Sequence, residues 1–154
     1  MPSLVKTASW EAEMSRKRAI HSENAPAAIG PYSQALEAGG MVFCSGQIAL
    51  IPQTGELHKD GVKEQTEQVM HNLEQVLIAA GGSWSDVVKT TIYLTDLTSF
   101  QAVNEAYGDF LRTRQIGDER LIGSSPAPAR ATVEVSALPK GAAVEIDAIA
   151  HLGD

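Results

Sequence analysis

A helix followed by a strand sets the architecture of this chain, in the segment Gly61–Leu94, GVKEQTEQVMHNLEQVLIAAGGSWSDVVKTTIYL. Its apolar side chains first recur at three- and four-residue steps, which predicts a helix over Gly61–Ala80 with one apolar face. The Gly81-Gly82 pair stands where a C-terminal cap is expected. The stretch Val87–Leu94 is β-branched and aromatic, which predicts a strand.

Outside this segment, the pattern predicts four more strands and one more helix. These elements are Ser33–Glu37, Met41–Ser45, the helix Ser99–Arg112, Ala131–Val135 and Ala143–Ala150. Gly39-Gly40 between the first two strands indicates a hairpin. The polar stretch Thr113–Ser125 has no period and is predicted to be a loop. This order predicts an α/β fold, specifically an α+β two-layer sandwich with two helices on one face of a sheet.

The opposite face of the predicted sheet is semi-polar. In the last strand apolar side chains alternate with Glu145 and Asp147, and in the strand before it Val133 alternates with Thr132 and Glu134. Such a face is only partly suited to water. The alternation therefore predicts burial against other subunits in a cyclic oligomer.

Length, composition and charge exclude several classes of protein. The 154 residues, 44% of them apolar and 20% charged, are typical of one globular domain. We expect an N-terminal extension over residues 1–17 and a single domain over residues 18–154. The net charge of −7 disfavours nucleic-acid binding. The single cysteine permits no intrachain disulfide, and no stretch reaches the roughly 20 apolar residues of a membrane span, so we expect a cytoplasmic protein without membrane contact.

Motifs for metal, phosphate and serine-hydrolase chemistry are absent from the sequence. The histidines show no HxH, HxxxH or HExxH pattern and Cys44 has no CxxC partner, so we predict no metal site. The Gly-Gly pairs lack the spacing of phosphate-binding loops, and no GxSxG motif occurs. The apolar surroundings in VFCSG favour a buried, inert Cys44 thiol over a nucleophile.

Two charged residues beside predicted strands could carry chemistry. Arg130 follows PAPA (126–129), whose prolines restrict the backbone that presents the guanidinium. A fixed guanidinium suits bidentate binding of a carboxylate. Glu145 interrupts an apolar alternation, and its structural alternatives are an ion pair with Arg130 or Lys140 and simple exposure.

Several motifs, in the same order, resemble those of one family. They are NAPAAIGPYSQA (24–35), SGQI (45–48), Gly81–Leu94 with VKTTIYL, NEAY (104–107), PARATVEV (128–135), LPK (138–140) and VEIDAIA (144–150). Together they resemble the RidA family, also called YjgF or L-PSP proteins, from about Ile20 to His151. The resemblance implies a chorismate-mutase-like fold with a mixed sheet, and a homotrimer with clefts between the subunits.

The resemblance also implies an activity and the residues that perform it. The best-known members hydrolyse reactive 2-imino acids (2-iminobutanoate and 2-iminopropanoate), or their enamine tautomers, to 2-keto acids and ammonia, without a cofactor. By this similarity Arg130 would bind the substrate carboxylate, and Glu145 would position and activate a water molecule. The further substrate contacts that the resemblance implies are Tyr32, Ser45, Gly46, Asn104 and Thr132. Tyr32 and Asn104 could equally be packing or capping residues.

Two departures from the family pattern bear on the substrate. Thr132 stands where many active members have cysteine, and the segment from Arg112 to Pro126 is several residues longer than usual. The longer segment leads directly into Arg130 and could reshape the cleft or cover it. Two alternative functions stay open: an endoribonuclease that inhibits translation, and a non-catalytic trimeric module that binds small carboxylates.

Overall fold

The computed structural model describes residues 16–153, which form one six-stranded sheet and two long helices. The elements are β1 (Arg18–Ile20), β2 (Ala35–Ala38), β3 (Met41–Gln47), α1 (Val62–Ala79), β4 (Val87–Leu94), α2 (Phe100–Arg112), β5 (Ala129–Glu134) and β6 (Val144–His151). The predicted α+β class and mixed sheet are confirmed. Most of the predicted extension, residues 1–15, lies outside the described residues. Neither described helix has the length and apolar character that crossing a membrane requires.

The strands lie in the order β1-β2-β3-β6-β4-β5. The pair β4–β5 is parallel, and the other neighbouring pairs are antiparallel. The hairpin predicted between β2 and β3 is confirmed: Gly39 and Gly40 have φ of 59° and 81°, a region that glycine adopts without steric cost. The last strand of the sequence, β6, therefore lies near the middle of the sheet and joins the two halves.

The core lies between the sheet and the two helices, which pack on each other and on the middle strands. From α1, Val69, Leu73 and Val76 are fully buried. Every second residue of β6, beginning at Val144, points into this core, as the predicted alternation requires. Tyr107 of α2 shares a buried hydrogen bond of 2.8 Å with Thr90 of β4, which fixes α2 over that strand.

The structure adds one strand to the predicted elements and moves several strand ends, among them the start of β2, which lies two residues after the predicted start. The strand β1 was not predicted, because three residues carry no periodicity; it pairs with β2, and the side chain of Arg18 binds that of Glu37. The strands β3 and β5 extend two residues beyond the predicted end and start, respectively. The segment 113–125 has no helix or strand, as predicted, and closes on itself where the Gly117 amide donates to the Ser125 carbonyl at 2.7 Å.

Candidate active site: two groups of residues on opposite faces of the sheet

A cleft of about 620 Å³ opens on the face of the sheet that the helices leave uncovered, beside the start of β6. Tyr32, Ser45, Gly46 and Glu145, four of the predicted site residues, line it together. Its walls also contain backbone from the segments 26–29 and 46–50 and the side chain of Lys140. The long segment 113–125 contributes no residue to this cleft within the chain.

A β-bulge in β3 brings the backbone of the cleft against Glu145. Cys44 pairs with Ala148 and Gln47 with Ile146, so three steps along β3 match two along β6 and one residue is extra. The bulged segment lies over the side chain of Glu145, where a Cβ atom on Gly46 would stand 2.5 Å from Oε2 and 2.8 Å from Cδ. Only glycine fits at this position without displacing the carboxyl group.

The carboxyl group of Glu145 is half-buried and has no positive partner among residues 16–153. Neither of the ion pairs considered for it, with Arg130 or Lys140, is formed. Burial raises the pKa of this carboxyl, and the negative charge of Asp147 raises it further. The group can therefore hold a proton more easily than an exposed glutamate, which suits a residue that both takes and returns protons.

The loop on one side of the cleft is fixed by a buried amide that the sequence reasoning missed. The side chain of Gln34 accepts from the Ser22 amide at 2.6 Å and donates to the carbonyls of Ser22 and Pro26 at 3.0 and 2.8 Å. It thereby fastens the loop that presents Tyr32, whose ring is 55% exposed in the cleft wall. The sequence signal that could have identified Gln34 is its position as a polar residue between the loop and an apolar strand.

The opposite wall is held by Asn72 of α1, which the sequence reasoning also missed. Its amide nitrogen donates to the carbonyls of Ile48 and Leu50 at 3.2 and 2.9 Å, and the side chain is 1% exposed. Its place on the apolar face of a predicted helix was the available signal, because a buried amide requires hydrogen-bond partners.

Arg130 and Asn104 form a second group of residues at the edge strand β5. One guanidinium nitrogen of Arg130, Nη1, donates to Asn104 Oδ1 at 2.7 Å. The guanidinium carbon lies 5.7 Å from the ring centre of Phe100 and 5.3 Å from that of Tyr107. No carboxylate of residues 16–153 pairs with Arg130, so its charge is free for an anion.

The two groups of residues lie on opposite faces of the sheet. Arg130 is in register with Thr90, whose side chain points under α2, so Arg130 lies on the helix face. Glu145 is in register with Tyr93, which has the other orientation along β4, so it lies on the uncovered face. One chain alone therefore does not place the two proposed catalytic residues in one site.

Thr132 lies on β5 on the same face as Arg130. Its hydroxyl oxygen is buried and finds no hydrogen-bond partner in the part of the chain that the structure describes. Such an oxygen is costly to bury unless a ligand or another chain supplies the partner.

Nucleophilic and metal chemistry find little support in residues 16–153. Cys44 is 6% exposed, and burial followed by the charge of Asp147 raises the pKa of its thiol to about 12. The thiol is therefore neutral at physiological pH, as the inert interpretation predicts. Within these residues, no cluster of three histidine, cysteine or acidic side chains could hold a metal ion.

The chain matches known proteins over most of its length. The family model described as Endoribonuclease L-PSP matches residues 22–152. The human 2-iminobutanoate/2-iminopropanoate deaminase is 41% identical over 89% of this chain and 91% of its own length. Reactive Intermediate Deaminase A, a chloroplastic protein of Arabidopsis thaliana, is 45% identical over 89% of this chain and 67% of its own length.

Solved structures share the fold. E. coli TdcF, in a crystal structure with bound serine, has a TM-score of 0.78 at 40% identity and covers 87% of this chain and 98% of its own. The E. coli YjgF gene product has a TM-score of 0.76 at 41% identity, with 87% and 98% covered.

Proposed function

The chain belongs to the Endoribonuclease L-PSP family, which includes the RidA and YjgF proteins as the resemblance predicted, and from this premise we propose that it hydrolyses 2-imino acids. The products are a 2-keto acid and ammonia. The observation that carries the proposal is the Glu145 carboxyl, which faces the cleft over Gly46 without a positive partner in the described chain. Relatives named 2-iminobutanoate/2-iminopropanoate deaminase support the same chemistry.

In this proposal Arg130 binds the substrate and Glu145 transfers protons. Arg130 binds the carboxylate of the imino acid and directs the neighbouring C=N carbon. Glu145 takes a proton from a water molecule as the water oxygen bonds to that carbon of the protonated imine, which gives a neutral carbinolamine. The same carboxyl then returns the proton to nitrogen, and the C–N bond breaks. As ammonia leaves, the hydroxyl group gives its proton to the Glu145 carboxylate and becomes the keto oxygen, and ammonia carries that proton away as ammonium. The enamine tautomer reacts by the same route after it converts to the imine.

We propose that the active unit is a homotrimer. Because Arg130 and Glu145 lie on opposite faces of one sheet, a complete site needs Arg130 from one subunit and Glu145 from the next. The uncovered sheet face supports this arrangement, since it exposes Phe43 at 48% and Val133 at 42% to solvent in the single chain. A cyclic assembly would bury these side chains.

The function is tested by generating 2-iminobutanoate with a threonine dehydratase in the presence of an amine trap and following 2-ketobutanoate. We expect the wild type to accelerate keto-acid formation, and Arg130→Ala and Glu145→Gln each to lose at least 100-fold, in line with general acid–base contributions. Leu97→Ala, an exposed residue outside the cleft, is the control and keeps full activity. A silent wild type across small and large imino acids would refute the deaminase.

The shared site is tested by mixing the two inactive variants. Differently tagged Arg130→Ala and Glu145→Gln chains are co-expressed, and oligomers that carry both tags are purified. We expect partial recovery of activity, because some interfaces then combine an intact Arg130 with an intact Glu145. Mixed oligomers as inactive as their parents would show that each chain uses its own pair.

The same variants separate the alternative functions. A carboxylate-binding module would bind a 2-keto acid but show no turnover in the wild type, and Glu145→Gln would change nothing. An endoribonuclease would cleave RNA under the assay conditions. The net charge of −7 disfavours binding of a phosphate backbone, as does a cleft in which Lys140 is the one basic lining residue among residues 16–153.

A further inference from the structure

We propose that Tyr93 and Asp147 form a hydrogen-bonded positioning pair that places a fixed negative charge on the strand face of Glu145 and so favours the proton-carrying form of the Glu145 carboxyl. This inference rests on the proposed function and adds two residues to it. Neither residue lines the cleft itself, so both act through Glu145.

The pair is built by the register of β4 and β6. Tyr93 lies directly opposite Glu145, and Asp147 follows two residues along β6 on the same face. The Tyr93 hydroxyl donates to Asp147 Oδ2 at 2.9 Å. The side chain of Tyr93 therefore reaches diagonally from its position opposite Glu145 to the Asp147 carboxylate.

The charges around Glu145 bear on how readily its carboxyl keeps a proton. The titratable groups that face it are Asp147 on its own strand, Tyr93 on β4, and Tyr32 and Lys140 in the cleft wall. Lys140 directs its ammonium to the Gly55 carbonyl at 3.5 Å and makes no ion pair with Glu145. Two carboxyl groups thus share one strand face with no neutralising cation within salt-bridge distance among residues 16–153.

The hydroxyl of Tyr93 breaks the symmetry between these two groups. Its hydrogen bond fixes the Asp147 carboxylate on the strand face that Glu145 shares. That anion then disfavours a second negative charge on Glu145, whose pKa is raised by burial and by Asp147. Burial, reinforced by the bond to Asp147, also raises the pKa of Tyr93, so its hydroxyl stays a donor. The raised pKa of Glu145 favours proton retention on its carboxyl, which suits the return of a proton to the carbinolamine nitrogen.

The experiment compares Tyr93→Phe and Asp147→Asn with Lys89→Gln, which removes a charge from the same face of β4 but lies opposite Ile149. The pH profile of kcat and a 13C NMR titration of the Glu145 carboxyl are measured for each. For Asp147→Asn, we expect two shifts to lower pH: one in the acidic limb of the pH profile of kcat, and one in the NMR titration of the Glu145 carboxyl. At neutral pH we expect kcat to fall about tenfold, because Glu145 becomes a weaker proton donor. We expect Lys89→Gln to leave the pH profile of kcat and the Glu145 titration unchanged.

Tyr93→Phe tests the hydrogen bond alone. Without the hydroxyl, the Asp147 carboxylate is no longer fixed beside Glu145, so we expect the titration of Glu145 to move to lower pH, by less than in Asp147→Asn. An unchanged Glu145 titration in both Asp147→Asn and Tyr93→Phe would overturn the pair. The NMR readout needs no turnover, so an inactive wild type refutes the proposed function while the titration still decides the pair.

Discussion

At the scale of single residues, the identity of Gly46 is dictated by the carboxyl group beside it. We predict that Gly46→Ala lowers kcat about 100-fold, because the added Cβ would stand 2.5 Å from Glu145 Oε2 and must push the carboxyl aside. The melting temperature should change little, because the added Cβ meets the terminal atoms of the Glu145 side chain, which can rotate away. Steady-state kinetics and thermal unfolding measure the two effects.

Gly55→Ala is the matched control for this substitution. Gly55 has φ of 73° and open space around its Cα, so alanine there meets backbone strain but no neighbouring atom. We expect a lower melting temperature with an unchanged kcat. If Gly46→Ala loses stability but keeps its kcat, the contact with Glu145 does not position the carboxyl.

The buried hydroxyl of Thr132 gives a second prediction at this scale. Thr132→Val removes an oxygen that has no partner among residues 16–153 and keeps the shape of the side chain. We expect stabilisation by about 1 kcal/mol, seen as a melting temperature about 2–4 °C higher. A clear loss of stability would contradict this and would mean that the assembled protein supplies a partner to the hydroxyl.

At the scale of secondary-structure elements, the tie between α1 and the cleft wall depends on one amide. We predict that Asn72→Ala costs about 1–3 kcal/mol in urea unfolding, because two backbone carbonyls lose their donor in a buried site. Gln68→Ala is the control: it removes a bond to Asn72 Oδ1 but leaves both wall contacts, so it should cost under about 1 kcal/mol. Equal losses in the two variants would contradict the tie.

The elements that sequence reasoning located best are those with a long period. Both helices agree with the prediction within one residue at each end, and Val87–Leu94 agrees fully, because many side chains report one repeating pattern. The three residues of β1 are held by pairing with β2 rather than by a pattern of their own. The bulge before Gln47 left no signal either, since an extra residue becomes visible only against the partner strand.

At the scale of the whole molecule, stability depends on pH through Glu145. Burial and Asp147 raise its pKa in the fold, so ionisation costs more in the folded than in the unfolded chain. Stability is therefore lost as pH rises from the ordinary glutamate value of about 4.3 through the raised value. We expect Glu145→Gln to match the wild-type melting temperature below that window and to exceed it above, at equal protein concentration.

The control for this prediction is Glu56→Gln, which removes one charge from an exposed glutamate. Melting temperatures from pH 3.5 to 8 are compared for the three proteins. A difference between Glu145→Gln and the wild type that does not change with pH, or a less stable Glu145→Gln at neutral pH, would contradict the stated direction.

The relation between Arg130 and Glu145 could not be predicted from alternation along each strand. Alternation shows that Arg130 shares a face with Thr132, and Glu145 with Asp147. Whether Arg130 of β5 and Glu145 of β6 lie on the same face of the sheet depends on the strand order and on the register that each of these strands has with β4, which lies between them. Both are set by packing across the sheet, so sequence reasoning could propose the two residues but could not predict their separation on two faces.

The central place of β6 also has a consequence for synthesis. The strands β1, β2 and β3 form one half of the sheet, β4 and β5 the other, and β6 alone hydrogen-bonds to both. Because β6 is synthesised after the other five strands, β3 and β4 each lack a neighbouring strand until residues 144–151 leave the ribosomal exit tunnel. Until then the edges of these two strands are open to wrong pairing and to chaperones, and one late strand closes both.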